Sequence, residues 1–191
     1  MINVAIVYHS EQGHTAEQAK AVARGVESVV DSKATLVSVE RVKQHWVTLA
    51  AADAIIFGSP TYLGSASAQF KGFMDASSKV WFTQGWKDKI AAAFTNSASQ
   101  SGDKLGTLIQ LAVFAAQHSM IWVGLDIMPG NSSSKGSVED LNRLGCFLGA
   151  MAQSNADQGP EEGPIASDLK TAERLGARVA ETTAQFLRGR L

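Results

Sequence analysis

Met1-Ile2-Asn3-Val4-Ala5-Ile6-Val7-Tyr8 runs straight into His9-Ser10-Glu11-Gln12-Gly13-His14-Thr15, and an alanine-rich helical pattern follows from about Ala16. A first apolar strand, a short polar loop and a helix start make a natural anion pocket. The first N–H groups of a helix lack intrahelical partners, and the helix dipole favours negative charge there. Ser10 and Thr15 add hydroxyls, and Gly13 lets backbone approach a ligand closely. The loop is not a P-loop, which needs Lys after its last Gly. Nor is it a dinucleotide fingerprint, which needs three glycines where this loop has one. With only His14 as a potential cation, it suits a phosphate monoester held by neutral donors. The competing reading is a plain helix start capped by Ser10 or Thr15.

The strand–loop–helix unit recurs. Apolar, partly β-branched runs at Asn3–Tyr8, Ala34–Val39, Ala54–Phe57, Ile90–Phe94 and Ile121–Val123 alternate with helical patterns. Those patterns fall at about Ala16–Val30, Val42–Ala51, Ala68–Val80, Lys104–His118 and Ser167–Leu187. Continuous apolar runs predict strands buried on both faces, and the alternation predicts a doubly wound α/β fold. Cys146–Met151 reads as a continuation of the fifth strand after a polar insertion, and Gly159–Pro164 as a breaker before the last helix.

The 191 residues are 45% hydrophobic and 18% charged, with a formal net charge of −1, the composition of one ordinary globular domain. That charge gives no footprint for nucleic acid or an anionic membrane. The lone cysteine, Cys146, cannot pair internally and reads as a small buried hydrophobe, which fits a reducing cytoplasm. The four histidines are scattered and form no metal-ligand cluster. No basic region precedes the first strand, so no signal peptide is expected. Leu105–Leu125 carries no formal charge and is long enough to span a bilayer, but its glutamines and His118 favour a buried helix followed by a strand.

In such folds ligands bind beyond the carboxyl ends of the strands. The residues there are Ser10–Thr15, Gly58–Ser65, Thr95–Gly102 and Gly124–Asp126; the first three are rich in Gly, Ser, Thr and Asn. They offer hydroxyls, amides and close backbone, which suits a flat, polar-edged cofactor with a phosphate tail. No nucleophile elbow, Ser-His-Asp set or carboxylate pair is legible, so no catalytic side chain is assigned.

Ser10-x-x-Gly13-His14-Thr15, Gly58-Ser59-Pro60-Thr61-Tyr62-Leu63-Gly64 and Gln69-Phe70-Lys71-x-Phe73-Met74-Asp75 together resemble the WrbA-type members of the flavodoxin-like superfamily, FMN-dependent NAD(P)H:quinone oxidoreductases. The resemblance covers most of residues 1–125. It implies a flavodoxin-like doubly wound, five-stranded parallel sheet of order 2-1-3-4-5 with helices on both faces, and residues 1–191 as a single FMN-binding domain. It implies that Ser10, Gln12, Gly13, His14 and Thr15 wrap the FMN phosphate. Pro60, Thr61, Tyr62, Leu63 and Gly64 would line one edge of the ring. Asn96, Ser97, Ala98, Ser99, Gln100 and Ser101 would contact the ribityl chain and the other edge.

Trp81 and His118 fall where the family places substrate-side residues. The alternative for Trp81, with Phe82 and Trp86 nearby, is core or a subunit interface. The alternative for His118 is a satisfied, partly buried histidine. The chain departs from the family pattern at Gln100-Ser101-Gly102-Asp103, where a Gly-Gly run is usual, at Gln117-His118-Ser119, where His-His-Gly is usual, and at Tyr62, often Arg. The implied activity is NAD(P)H-dependent two-electron reduction of a quinone-like acceptor by a cytoplasmic protein, with no nucleic-acid partner, no membrane insertion and a homo-oligomer (dimer or tetramer). The alternative is an electron carrier without its own dehydrogenase activity. Carriers of this fold tend to be strongly acidic, and the near-neutral charge counts against that.

Overall fold

The computed structural model describes residues 1–189. The first strand, β1 (Ile2–Tyr8), pairs in parallel with β2 (Ser32–Ser38) on one side and with β3 (Ala54–Tyr62) on the other. Beyond β3 lies β5 (Ile90–Ser97), also parallel, with Ala54 opposite Ile90 and Pro60 opposite Asn96. The last place in the sheet is shared: β6 (Ile121–Trp122) pairs with the start of β5 and β7 (Ala150–Gln153) with its end. The order is therefore β2-β1-β3-β5-β6, with β7 continuing the line of β6.

Seven strands stand among the described residues where five were expected, and both additions have a physical origin. The fifth strand is cut in two by the 123–149 insertion. The expected third-strand loop is instead a hairpin: β3 runs on to Tyr62, and β4 (Ser65–Ala66) folds back with Tyr62 opposite Ser65. Leu63 and Gly64, at φ 48° and 78°, make the turn. Two residues at positive φ give the twist that a tight hairpin needs. The expected continuation at Cys146–Met151 forms a little later, as β7.

Side chains alternate between the two faces of the sheet. Val4, Ile6, Ile56, Ala92 and Phe94 pack against α1 (His14–Glu27) and α6 (Ala166–Arg188), through Val22, Val26, Leu175 and Val179. Ala5, Val7, Ile55, Phe57, Ala91 and Ala93 face the other layer. That layer is α2 (Trp46–Ala51), α3 (Ala68–Ala76), α4 (Ser78–Phe82) and α5 (Lys104–Gln117), the last four-turn helix supplying Leu108, Leu111 and Phe114. Central strands buried on both faces explain why their sequences read as unbroken apolar runs.

The remaining element boundaries moved for local reasons. The expected Val42–Ala51 helix opens only at Trp46: its first residues belong to a 3-10 turn, Val39–Gln44, which also takes Val39 from the end of the expected second strand. The expected Ala68–Val80 helix splits at Ser77, whose hydroxyl donates back to the Met74 carbonyl (2.6 Å). The uncharged Leu105–Leu125 stretch becomes α5 and β6, and among the described residues no helix is long and apolar enough to cross a membrane.

Candidate functional site

A cavity of about 700 Å³ opens at the carboxyl ends of β1, β3, β5 and β7. Its floor is the start of α1. Gly13, at φ 89°, is the last residue before the helix, and Ser10 Oγ accepts the Ala16 N–H at 3.0 Å. Neither Ser10 nor Thr15 is the N-cap residue expected; Ser10 reaches in from three residues earlier. No hydrogen-bond partner stands opposite the N–H groups of Gln12, Gly13, His14 and Thr15 among the described residues. Four free donors at the positive end of a helix are an anion cradle. The Ser10 O–H is left able to donate as well. Gly13 has a second reason to be glycine: a Cβ there would stand 2.8 Å from Pro160 Cγ.

The second wall is the β3–β4 hairpin, with Pro60, Thr61, Tyr62, Leu63 and Gly64. It is fixed from below by a buried hydroxyl cluster in which Thr61 Oγ1 lies 2.7 Å from Thr95 Oγ1 and 2.8 Å from Thr107 Oγ1, tying β3, β5 and α5 together. From the side, Gln110 Oε1 accepts from Ser65 Oγ and from the Ala66 N–H, each at 3.1 Å. Tyr62 and Leu63 crown the wall and are exposed. Partial burial, helped by the nearby Glu11 carboxylate, holds the Tyr62 phenol above its ordinary range, so the ring stays neutral at physiological pH.

The third wall is the β5–α5 loop, with Asn96, Ser97, Ala98, Ser99, Gly102 and Asp103. Lys104, the first residue of α5 and fully buried, pins it: Nζ donates to Ser97 Oγ and to the Ser99 carbonyl, each at 2.7 Å. Behind it, Gln153 Nε2 donates to the Ala98 carbonyl (2.8 Å), and the Gln153 N–H donates to Asp168 Oδ2 (2.9 Å). Asp168 is itself in a buried two-pronged pair with Arg143.

A fourth wall went unread in the sequence. Ser154, Asn155 and Ala156, just after β7, complete the cavity. Ser154 Oγ donates to Asn96 Oδ1 (3.1 Å), and His14 Nε2 donates to the Gln158 carbonyl (2.9 Å), so this segment bridges the first and third walls. The signal was available. Once Cys146–Met151 is read as a strand, the residues after it are a strand-end loop like the others.

The cavity thus gathers Ser10, Gln12, His14, Thr15, Pro60, Thr61, Tyr62, Leu63, Gly64, Asn96, Ser97, Ala98 and Ser99 of the expected set. It does not gather the rest. Gly13 acts through its backbone and does not line it. Gln100 and Ser101 turn to a second concavity behind the loop, among Leu105, Ile109 and Phe147. Trp81 sits on α4, half exposed and outside the cavity.

His118 is a correction. It caps the far end of α5, a helix of 14 residues, which puts it roughly 20 Å from the end at the cavity. It is 1% exposed, with Nε2 2.9 Å from Ser77 Oγ and its ring against Trp86 and Phe114. Within this chain it is a core residue. Burial lowers its pKa to about 4. An unfolded chain binds that proton near pH 6.5, so the folded state is at no disadvantage above pH 6.5 and loses stability as pH falls towards 4. Between pH 7 and pH 4.5 this group is expected to remove about 2 kcal/mol. Urea unfolding at the two pH values, compared with His118→Gln, checks it: the variant should lose clearly less than the parent. Equal losses would mean His118 takes up its proton in place.

The family described as NADPH-dependent FMN reductase matches residues 11–131. Flavodoxin FldP of Pseudomonas aeruginosa is 40% identical over 189 residues, covering 97% of this chain and 99% of that protein. An NAD(P)H dehydrogenase (quinone) of Trichlorobacter lovleyi is 30% identical over 208 residues, covering 97% and 99%. Among solved structures, that of a flavodoxin, WrbA-like protein from Agrobacterium tumefaciens superposes with a TM-score of 0.75 at 42% identity, covering 97% of this chain and 99% of that one.

Proposed function

Because the chain belongs to the NADPH-dependent FMN reductase family, we propose that it is an FMN-dependent oxidoreductase that takes a hydride from NAD(P)H and reduces a quinone-like acceptor in a two-electron step. The observation that carries the reading is the cavity itself: four strand-end loops around a volume in the range of cofactor sites, with a free helix N-terminus at its floor. The unpaired N–H groups of residues 12–15 and the Ser10 and Thr15 hydroxyls fit a phosphate monoester without a metal or a lysine. FMN, when bound, supplies the hydride chemistry.

The chain's own part is to bind and orient. Residues 10–15 would hold the phosphate. The hairpin 60–64 and the loop 96–99 would hold the two edges of the ring between rigid strand ends, with Gln100 and Ser101 shaping that loop from its outer side. Trp81 would act, if on the acceptor, from outside this cavity. Residues 1–191 are read as one FMN-binding domain. The buried Cys146 thiol supports a reducing cytoplasm, and the net charge of −1 argues against a nucleic-acid partner. Leu105, Ile109 and Val113 form an exposed, uncharged stripe on α5, which supports a homo-oligomer, dimer or tetramer.

The test is FMN titration followed by anaerobic addition of NADH or NADPH. Saturable binding and bleaching of the flavin bands are expected. Binding without bleaching favours the second reading, an electron carrier, to which the 40% identity with a flavodoxin points. No binding ends both.

The phosphate cradle makes a sharper prediction. Ser10→Ala combined with Thr15→Ala is expected to weaken FMN about thirtyfold and riboflavin threefold at most, since each hydrogen bond to a charged group contributes about 1.5–3 kcal/mol and only part is lost while the N–H groups stay. Equilibrium fluorescence titration of both ligands checks it. Equal losses would place the phosphate elsewhere.

A further inference from the structure

Lys104 is fully buried, yet among the described residues no carboxylate lies within ion-pair distance of its ammonium. Its two partners are neutral, Ser97 Oγ and the Ser99 carbonyl. Asp168 and Arg143 act on it from farther away with opposite signs, and they are already bonded to each other. It also occupies the first position of α5, the positive end of a helix, where a cation is disfavoured. Burial accordingly lowers its pKa to about 8, so at neutral pH most of the charge persists. An unpaired cation in such a place is costly unless a negative charge arrives nearby. The residues it holds, Ser97 and Ser99, form the wall of the cofactor cavity. The turn they make is tight: a Cβ on Gly102 would stand 2.2 Å from Ser97 Oγ.

We infer that Lys104 is a positioning residue with an electrostatic role: its ammonium fixes the 97–99 turn against the cofactor, and its uncompensated charge makes the site hold the reduced, anionic form of FMN more tightly than the oxidised form. The inference rests on the FMN reading above. A hydride from NAD(P)H brings two electrons and one proton, so the ring gains one negative charge while the nicotinamide becomes cationic. The phosphate carries the same charge in both states. A difference in affinity between the two states therefore reports on the ring alone.

Two variants separate the roles. Lys104→Gln keeps two N–H donors and removes the charge; Lys104→Met removes both. The readouts are the dissociation constant of oxidised FMN, by fluorescence quenching, and the midpoint potential of the bound flavin, by dye equilibration. Lys104→Gln is expected to keep oxidised FMN within threefold of the parent and to weaken the reduced form at least tenfold more than the oxidised form, a potential about 30 mV lower for a two-electron couple. Lys104→Met is expected to lose a further tenfold on the oxidised form. An unmoved potential in Lys104→Gln overturns the electrostatic role, and unchanged oxidised affinity in Lys104→Met overturns the positioning role. If the methionine variant fails to fold, Ser97→Ala, which removes one of the two anchors and keeps the charge, takes its place, and unchanged oxidised affinity there overturns the positioning role. A parent protein that binds no FMN removes the cofactor reading and this inference with it. A parent that binds, with both variants unchanged, removes only the inference.

Discussion

Asp168→Ala is expected to lower the unfolding free energy by about 3–5 kcal/mol, the range for removing one partner of a buried ion pair. The Arg143–Asp168 pair is two-pronged, with Nε to Oδ1 at 2.8 Å and Nη2 to Oδ2 at 2.7 Å. Its side chains are 6% and 2% exposed, so solvent cannot replace either partner. Truncating the aspartate leaves Arg143 buried without an anion and leaves Lys104 without the attraction that offset Arg143. Removing both charges together is a different matter. Arg143→Met with Asp168→Leu should recover most of the loss, because an apolar pair of similar volume avoids the desolvation cost. The single variant should also weaken FMN, since Asp168 orients Gln153 and Gln153 holds the Ala98 carbonyl of the cavity wall. Urea unfolding of the two variants checks the energetic claim. A loss under about 1 kcal/mol for Asp168→Ala would show that water reaches the arginine.

That network illustrates what a sequence conceals. The strands were legible because parallel strands buried on both faces cannot avoid runs such as Ala54-Ile55-Ile56-Phe57. The walls at 10–15, 60–64 and 96–99 were legible because strand ends are where such folds bind ligands, and polar small residues cluster there. Residues 58–62 were read as loop because the apolar run ends at Phe57, yet they continue β3. Here Pro60 takes a place near the end of β3, where the ladder gives way to the hairpin. Asp168, Arg143 and Lys104 carry no local pattern at all. Arg143 and Asp168 lie 25 residues apart and pair where the 123–149 insertion packs on the start of α6, while Lys104, 39 residues before Arg143, feels both charges from farther away. His118 was misplaced for a related reason. The family's His-His-Gly segment is only partly kept at Gln117-His118-Ser119, and α5 sets His118 at its far end, away from the cavity of its own chain.

Gly25→Ala is expected to destabilise the fold by about 3 kcal/mol, although glycine-to-alanine in a helix interior ordinarily stabilises by about 1 kcal/mol. Gly72 in α3 is where the ordinary sign should hold, because nothing lies within 4 Å of an added methyl. At Gly25 the methyl carbon would stand 1.8 Å from the Glu173 carbonyl oxygen of α6. The reciprocal contact is as close: a Cβ on Gly176 of α6 would stand 2.0 Å from the Val22 carbonyl oxygen of α1. These are backbone atoms and cannot rotate aside, so the helices themselves must part by more than about 1 Å. Overpacking of this kind costs about 1–3 kcal/mol and sometimes more. Parting the helices also opens contacts among Val22, Val26, Leu175 and Val179 along the whole crossing. These losses outweigh the gain in helix propensity. The consequence reaches the site, because α1 carries the free N–H groups of residues 12–15 at its other end, and a displaced α1 moves those donors away from Ser154–Ala156. Urea midpoints should move down for Gly25→Ala and up for Gly72→Ala, with FMN affinity falling only in the first. A midpoint that rises in both would mean that α1 and α6 do not touch through their backbones.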